Sequence, residues 1–191
     1  TRRSSDLLEI GVGTGWQKEE YDASNIEFDN RLSVLKEQLE VCKELWSNVP
    51  AKFSGKHISF ESIYSVPLPK QKGGVPFWFG IAANESNADL IAKFGLGWIP
   101  IQPNPKFISR GVNIIKEGFL RAKKDPEKLR VRGQLRMGFD RNGKPCINKT
   151  LESLEEGLKA GITDLEVFPS AFIENLDQLP DLLDNLIKLK S

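Results

Sequence analysis

The chain has 191 residues, of which 39% are hydrophobic and 28% are charged, and its formal net charge is +1. This length and composition are typical of a single globular domain with a substantial core. The near-neutral charge gives no electrostatic reason to expect a nucleic-acid partner or an anionic membrane, and no apolar run approaches the about 20 residues of a membrane span.

Soft metal ligands are scarce in this sequence. Cys42 and Cys146 lie far apart, and His57 is the one histidine. Two isolated thiols favour reduced cysteines in a cytoplasmic protein, and the three residues are too few for a zinc site, so no metal is predicted. Without a recognisable partner for a general base, His57 is predicted to serve in a hairpin or in packing.

Strand and helix patterns alternate along the chain. Residues 29–47, for example, repeat apolar side chains every three or four positions, as on one face of a helix. Strands are predicted at residues 6–12, 75–81, 97–101, 129–139 and 163–168. Helices are predicted at residues 29–47, 86–94, 105–124, 150–160 and 173–189. The β-prone residues 53–67 indicate a hairpin or an extended insertion, which continues through a loop at 70–74.

This alternation of strand and helix predicts an α/β fold. Parallel strands with right-handed crossovers form either a doubly wound sheet or a (β/α)8 barrel. A tight helix-to-strand connection at Gly161 is typical of barrels, but five units are three fewer than a closed barrel of about 250 residues requires. Because the one methionine is Met137, we expect a partial chain that forms a single domain over residues 1–191.

The first candidate site follows the first predicted strand, where three alternating glycines end at Trp16. The third glycine, Gly15, falls one place too early for a dinucleotide fingerprint, and no helix pattern begins there. The carboxyl end of this strand is therefore bare backbone followed by Trp16 and the acidic Glu19. Ligands bind at such ends in α/β folds; the alternative is a glycine-rich turn with a packing tryptophan.

The second candidate site follows the strand that ends at Gly80. Small residues come next, and Ser86 with Asp89 fits a capping box at a helix start. The free N–H groups of a helix start favour a phosphate. Glu85 and Asp89 would repel an anion there unless their side chains point away, so an ordinary capped loop is the alternative.

Other patterns favour no particular chemistry. The charged residues around Lys36 and Glu37 are interpreted as a solvated helix face. The sequence lacks the signatures of a serine nucleophile elbow, a P-loop and a zinc-peptidase helix.

Several segments, taken in this order, resemble the bacterial-luciferase-like superfamily of flavin- or deazaflavin-dependent oxidoreductases. The resemblance covers residues 7–101 and rests on the segments 11–21, 31–46, 53–60, 67–70, 75–81 and 92–101. It implies a (β/α)8 TIM-barrel fold, of which this chain would contain roughly the last five βα units, beginning near the fourth strand.

The resemblance also implies a reduced FMN or coenzyme F420 across the carboxyl ends of the strands. The phosphate would lie near residues 80–84, and the ring system near residues 13–16 and Glu19. The cofactor-binding residues that it implies are Gly13, Thr14, Gly15, Trp16, Glu19, Gly80, Ile81, Ala82, Ala83 and Asn84. Many relatives carry a second glycine at the position of Ile81, whose side chain would either crowd the phosphate or point inward.

The implied activity is that of an oxidoreductase or monooxygenase acting on a small organic substrate. Reduced FMN would activate O2, whereas F420 would exchange a hydride with the substrate. Residues over the reactive ring face would lie in units that precede this sequence, so no catalytic residue is assigned, and a homodimer agrees with the resemblance. The alternatives are a non-catalytic flavin-binding or incomplete barrel protein, and a sugar- or phosphate-handling barrel enzyme of another family.

Overall fold

The computed structural model describes residues 8–71 and 73–188 and contains two sheets. The parallel sheet has five strands, and the second sheet is an antiparallel hairpin of two strands. In chain order the strands are β1 (Ile10–Val12), β2 (Ala51–Ser54), β3 (Ser59–Ile63), β4 (Phe77–Phe79), β5 (Gly95–Trp98), β6 (Arg130–Gly133) and β7 (Asp164–Leu165). The hairpin β2–β3 lies at residues 51–63 and overlaps residues 53–67, for which a hairpin or an extended insertion is predicted.

The order of the strands decides between the two predicted architectures. The parallel sheet runs β1-β4-β5-β6-β7, so every strand pairs with the strand that precedes it in the same sheet. A doubly wound sheet reverses its strand order at a switch point, and this sheet does not. The fold is therefore α/β with the strand order of a barrel wall.

Seven α-helices occur among the described residues. They are α1 (Lys18–Ala23), α2 (Arg31–Ser47), α3 (Glu85–Phe94), α4 (Pro105–Arg121), α5 (Ile147–Leu151), α6 (Leu154–Lys159) and α7 (Leu179–Ile187). Helix α1 is not among the predicted helices, because this six-residue helix buries no side chain and so has no apolar stripe. Residues 6, 7, 72 and 189 of the predicted segments lie outside the described residues.

Two predicted helices differ from the structure. The single helix predicted over 150–160 is wrong, since α5 and α6 are separate; the Ser153 hydroxyl donates 2.8 Å to the Thr150 carbonyl, a local bond that competes with helical backbone pairing. The helix predicted from residue 173 begins only at Leu179. Pro180 follows at once, and proline fits the first turn of a helix but not its interior.

The main core lies between the parallel sheet and the helices that cover one of its faces. Phe77, Phe79 and Trp98 from the strands are buried there against α3 and α4. Close approach of α3 and α4 depends on Gly118, because a Cβ at this position would stand 2.7 Å from the backbone of Ala88. The two helices therefore pack backbone to backbone at this point.

We expect Gly118→Ala to destabilise the protein by about 1–3 kcal/mol because the added methyl group overpacks the contact with α3. An exposed helical glycine would show the opposite sign, since alanine is the better helix former by about 1 kcal/mol. The check is urea denaturation beside the exposed α4 variant Glu117→Ala, which should stay within about 0.5 kcal/mol of the parent. A stabilised Gly118→Ala variant would contradict the packing.

The face of the sheet away from α3 and α4, here called the inner face, carries a charged network. Glu9 accepts hydrogen bonds of 2.8 Å from Trp78 Nε1 and from Arg132 Nη2. It also forms an ion pair of 3.4 Å with Arg130, which in turn pairs with Asp164. The ionic belt is the name used below for Glu9, Trp78, Arg130, Arg132 and Asp164, together with Gly97 on β5. Its charged residues come from β6, from β7 and from the residue before β1.

Gly97 allows the ionic belt to cross the sheet. The Trp78 indole lies over β5, where a Cβ on Gly97 would stand 2.6 Å from the ring. On the far side of β5, the guanidinium carbon of Arg132 lies 4.0 Å from the ring centroid and that of Arg130 lies 4.9 Å from it. Both distances are within the range of cation–π attraction, so the indole connects the two sides of the sheet.

The ionic belt lowers the pKa of both of its carboxyl groups. Burial alone raises the pKa of Glu9, but the bonds from Trp78 and Arg132 and the charge of Arg130 outweigh this effect. Burial likewise raises the pKa of Asp164, and its bonds with Arg130 and Thr163 reverse the shift. Both carboxyl groups are therefore held in the charged form that the arginines need.

We expect Glu9→Gln to reduce the free energy of unfolding at pH 7 by about 1–3 kcal/mol, the usual contribution of a hydrogen bond to a charged group. Because the folded-state pKa of Glu9 is depressed, its contribution is complete above about pH 5 and declines as the pH falls through that pKa. Urea denaturation at pH 7 and at pH 3 should therefore show a smaller difference from the parent at pH 3. A loss of equal size at both pH values would contradict the linkage; Glu155→Gln on exposed α6 is the control.

Candidate functional site

The carboxyl ends of β1 and β4 meet as bare backbone. Gly80 N donates a hydrogen bond of 2.8 Å to Val12 O, and a Cβ on Gly13 would lie 3.0 Å from Gly80 O. The structure thus brings the two predicted glycine sites together, one residue beyond each strand. With no side chain on either residue, a ligand can approach the main chain closely here.

The loop after β1 is held by Tyr21. The Tyr21 hydroxyl donates to the carbonyl of Thr14, and its ring lies 3.5 Å from the position of a Cβ on Gly15, whose φ of +59° favours glycine. Trp16 is 82% exposed, so its interpretation as a packing tryptophan is wrong. Glu19 is also exposed, in the first turn of α1.

The loop after β4 directs its one large side chain inward. Ile81 is only 4% exposed and belongs to the main core, while its carbonyl accepts 2.8 Å from Trp98 Nε1. Of the two alternatives for Ile81, the inward one is therefore observed, and the side chain does not crowd the loop. Ala82 is exposed and Ala83 half-buried.

The amino end of α3 is capped by Asn84. Its side-chain oxygen accepts 2.9 Å from Asn87 N, an N-cap bond that satisfies one free amide. The predicted capping box of Ser86 and Asp89 is wrong, because the helix already begins at Glu85 and Ser86 lies within its first turn. Asp89 instead forms a 2.7 Å ion pair with Arg121 on α4.

A positive charge lies at the amino end of α3. Lys36 Nζ on α2 is 3.5 Å from Ser86 Oγ, while the Asp89 charge is paired and the Glu85 side chain is 82% exposed. The first amides of any helix lack intrahelical acceptors, so this end has donors and a cation together. The sequence did not predict that Lys36 lies near α3. The apolar pattern of α2 shows that this lysine is on the outer face of the helix, but not which other element it faces.

Glu37 beside it is also more than a solvated charge. Its carboxylate accepts backbone bonds of 2.8 Å from His57 N and 2.9 Å from Ile58 N in the β2–β3 turn. Burial raises the pKa of Glu37, but these bonds and that from Lys56 outweigh it and lower the pKa. His57 contacts Ser33 Oγ at 2.9 Å, which agrees with its predicted hairpin role.

Asn87 carries a buried acceptor without a donor. Its Nδ2 donates 2.9 Å to Ala82 O, whereas its Oδ1 is buried and has no hydrogen-bond partner within the described part of the chain. Buried polar atoms are ordinarily satisfied. This oxygen is therefore an unsatisfied acceptor next to the amino end of α3.

Neither a metal-binding cluster nor a membrane-spanning helix occurs in the part of the chain that the structure describes. Residues 8–71 and 73–188 contain no group of three or more His, Cys, Asp or Glu side chains that could hold a metal ion. No helix within the same ranges is long and apolar enough to cross a membrane. Cys42 and Cys146 are free thiols, and burial raises the pKa of Cys42.

A protein-family model described as luciferase-like monooxygenase matches residues 8–159. The chain belongs to this family. Its members are flavin- or F420-dependent oxidoreductases or monooxygenases. The family match also means that the alternative of a sugar- or phosphate-handling barrel from another family is wrong.

Individual relatives agree with the family match. An uncharacterised protein of Mycobacterium tuberculosis is 29% identical over 122 residues, which are 64% of this chain and 43% of that protein. The F420-dependent glucose-6-phosphate dehydrogenase of Mycolicibacterium gilvum is 25% identical over 153 residues, which are 76% of this chain and 44% of that protein. This chain thus matches less than half the length of these curated relatives.

A solved structure confirms the barrel-type fold. The structure of an F420-dependent secondary alcohol dehydrogenase in complex with an F420-acetone adduct superposes with a TM-score of 0.68 at 16% identity. The match covers 82% of this chain and 62% of that one. Together with the strand order, this likeness confirms the fold class predicted from the sequence.

We expect Asn84→Ala to destabilise the protein by about 0.5–2 kcal/mol, because it removes the N-cap of α3. Ser86→Ala, at the position that the sequence favoured as the cap, should stay within about 0.5 kcal/mol of the parent. Thermal and urea unfolding of the two variants provide the measurement. The reverse order of effects would restore Ser86 as the cap.

Proposed function

We propose that this chain forms the cofactor-binding side of an oxidoreductase that uses F420 for hydride transfer with a small organic substrate. The observation that carries the proposal is the meeting of Gly13 and Gly80 as bare backbone beside the amino end of α3. The ring system would lie on this bare backbone, and the phosphate at the helix end. When bound, the cofactor supplies the redox chemistry, and the protein supplies orientation and electrostatics.

The bare backbone fits a flat ring. A Cβ on Gly13 would already touch the carbonyl of Gly80, so any side chain larger than glycine would fill the space where the two strands meet. Thr14 and Gly15 continue this surface under Tyr21, and the exposed side chains of Trp16 and Glu19 are free to close over a ligand. Large contact area with few polar groups is typical of cofactor sites.

The amino end of α3 fits a phosphate joined to a polyol. The helix dipole and free amides of the first turn favour an anion, and Lys36 adds a positive charge. The buried Oδ1 of Asn87 lacks a donor, and the ribityl hydroxyls that adjoin the phosphate in both FMN and F420 are donors. Residues 80–84 carry only small side chains toward this end, since Ile81 is turned into the core.

F420 is favoured over FMN by sequence similarity. The similar dehydrogenase of Mycolicibacterium gilvum is F420-dependent, and hydride transfer requires no oxygen-activating environment. FMN is the second candidate, because the matched family is that of luciferase-like monooxygenases. The ring and phosphate positions proposed above are the same for both cofactors.

We expect the full-length protein to bind F420 with a Kd in the micromolar range or below, measured by fluorescence or calorimetry in parallel with FMN, each oxidised and reduced. Gly13→Val should weaken binding at least tenfold by crowding the Gly80 carbonyl. Lys36→Ala should weaken it by about threefold to tenfold, the contribution of one partly exposed charge. Lys52→Ala, which removes an exposed lysine from the hairpin, is the matched control and should leave the Kd unchanged.

The outcomes separate the candidate functions. Tighter binding of FMN than of F420 would select the monooxygenase. Binding without turnover of any substrate would favour the non-catalytic flavin-binding alternative. If a folded full-length protein binds neither cofactor, the proposal is wrong.

A further inference from the structure

Two polar side chains meet on the inner face at the carboxyl ends of β6 and β7. Gln134 Nε2 donates 3.0 Å to Glu166 Oε2, and Glu166 N donates 2.9 Å to Gly133 O, so the parallel ladder continues past both strands. Gln134 and Glu166 lie two residues beyond Arg132 and Asp164 of the ionic belt. Alternation along a strand therefore puts them on the same face, about 6–7 Å nearer the carboxyl edge.

Glu166 has a neutral hydrogen-bond partner, whereas Glu9 and Asp164 of the ionic belt have charged ones. Glu9 and Asp164 are paired with the arginines of the ionic belt. Within residues 8–71 and 73–188, by contrast, no cation pairs with Glu166, which is half-buried and bonded to an amide. The Gln134 amide uses one of its two N–H donors on Glu166, so the pair presents the remaining carboxylate and amide oxygens as acceptors, together with one N–H.

The part of the inner face past β1 and β4 has no side chains two residues below this pair. Following the strand pairing through β5, Gly80, one residue past β4, is in register with Arg132 on β6, and Gly13 lies beside Gly80. The sheet therefore has a bare side past β1 and β4, level with Arg132, and a polar side past β6 and β7, two residues nearer the carboxyl edge. A group that reacts with a ring on the bare side would be next to the polar side.

Gln134 and Glu166 also border a cavity with apolar walls. The cavity lies at the ends of β6 and β7 against α5, and its other lining residues include Leu135, Met137, Leu165, Phe168 and Phe172. Ligand sites ordinarily combine such apolar walls with a few polar groups that fix orientation. The cavity has a volume of about 40 Å³, so it admits only a small apolar group of a ligand beside the acceptor oxygens, and the rest of the ligand would lie outside it.

We propose that Glu166, oriented by Gln134, determines substrate specificity by accepting a hydrogen bond from a hydroxyl or protonated amine. The substrate class is then a small alcohol or amine. The proposal rests on the proposed function, because it assumes that the cofactor lies on the bare side of the sheet. A site built on an acceptor discriminates strongly against analogues without the donor.

The test measures binding of four compounds with the same six-membered ring. Cyclohexanol and cyclohexylamine carry a donor, whereas cyclohexanone and methoxycyclohexane carry only acceptors. We expect the full-length protein, saturated with F420 and followed by ligand-observed NMR, to bind the two donors about 10- to 100-fold more tightly, the usual range for a hydrogen bond to a carboxylate. Glu166→Gln should weaken binding of the donors by a similar factor and leave the acceptors unchanged.

Two further variants guard against a purely structural effect. Phe172→Leu trims the apolar wall and should weaken all four compounds alike, with the donor preference kept. Glu155→Gln, which removes an exposed carboxylate from α6, should change nothing. Lack of donor preference in the parent protein, or its survival in Glu166→Gln, would overturn the proposal, and so would an equal loss for all four compounds.

Cofactor titration of the same samples separates the two proposals. An unchanged Kd for F420 in Glu166→Gln is expected if the residue faces the substrate, whereas a weakened Kd would make it a cofactor contact and overturn the inference. If the parent binds neither F420 nor FMN, the proposed function fails by itself. The four-compound comparison without cofactor then still shows whether Glu166 selects donors.

Discussion

The strands of the parallel sheet are cross-linked through one carboxylate, Glu9, which is joined to an indole and two guanidinium groups across the inner face. No strand of this sheet exceeds four residues, so the backbone ladders are short and side chains must help to hold the strands in register. Because charges held this close are costly to leave unpaired, the members of the ionic belt require one another. Gly97 makes the arrangement possible, since any larger residue would displace the indole.

The two faces of the sheet serve different purposes because the strands alternate. Phe77, Phe79 and Trp98 point to the helices and form the core, whereas Trp78 and the residues in step with it point to the inner face. Along that face, the glycine backbone past β1 and β4 is level with Arg132 of the ionic belt, and the carboxylate of Glu166, which pairs with no cation among the described residues, lies two residues nearer the carboxyl edge. The ionic belt thus cross-links the strands, and the groups proposed for binding lie at the carboxyl edge, where α/β folds bind ligands.

The amino end of α3 can still favour an anion although Glu85 and Asp89 are close to it in the sequence. Asp89 is paired with Arg121, and Glu85 is largely exposed, so neither charge is confined at the first turn of α3. Lys36 on α2 contacts the same turn. The N-cap residue, Asn84, carries a neutral amide and adds no negative charge there. Electrostatics that looked unfavourable in the linear sequence are therefore favourable once α2 and α4 are in place.

The sequence by itself determined the order of the elements, the α/β class, the family, and the two glycine-marked strand ends, because hydrophobic period and glycine placement are local properties of the chain. Its strand and helix pattern alone left a barrel-type and a doubly wound sheet open, and only the family resemblance favoured the barrel; neither gave the cap at Asn84 or the direction of Ile81. Those features depend on which strands pair and which helices pack. Only the tertiary structure brought Gly13 to Gly80, Lys36 to α3 and Glu9 to Arg132, since each contact joins residues far apart in the chain whose proximity no local pattern encodes.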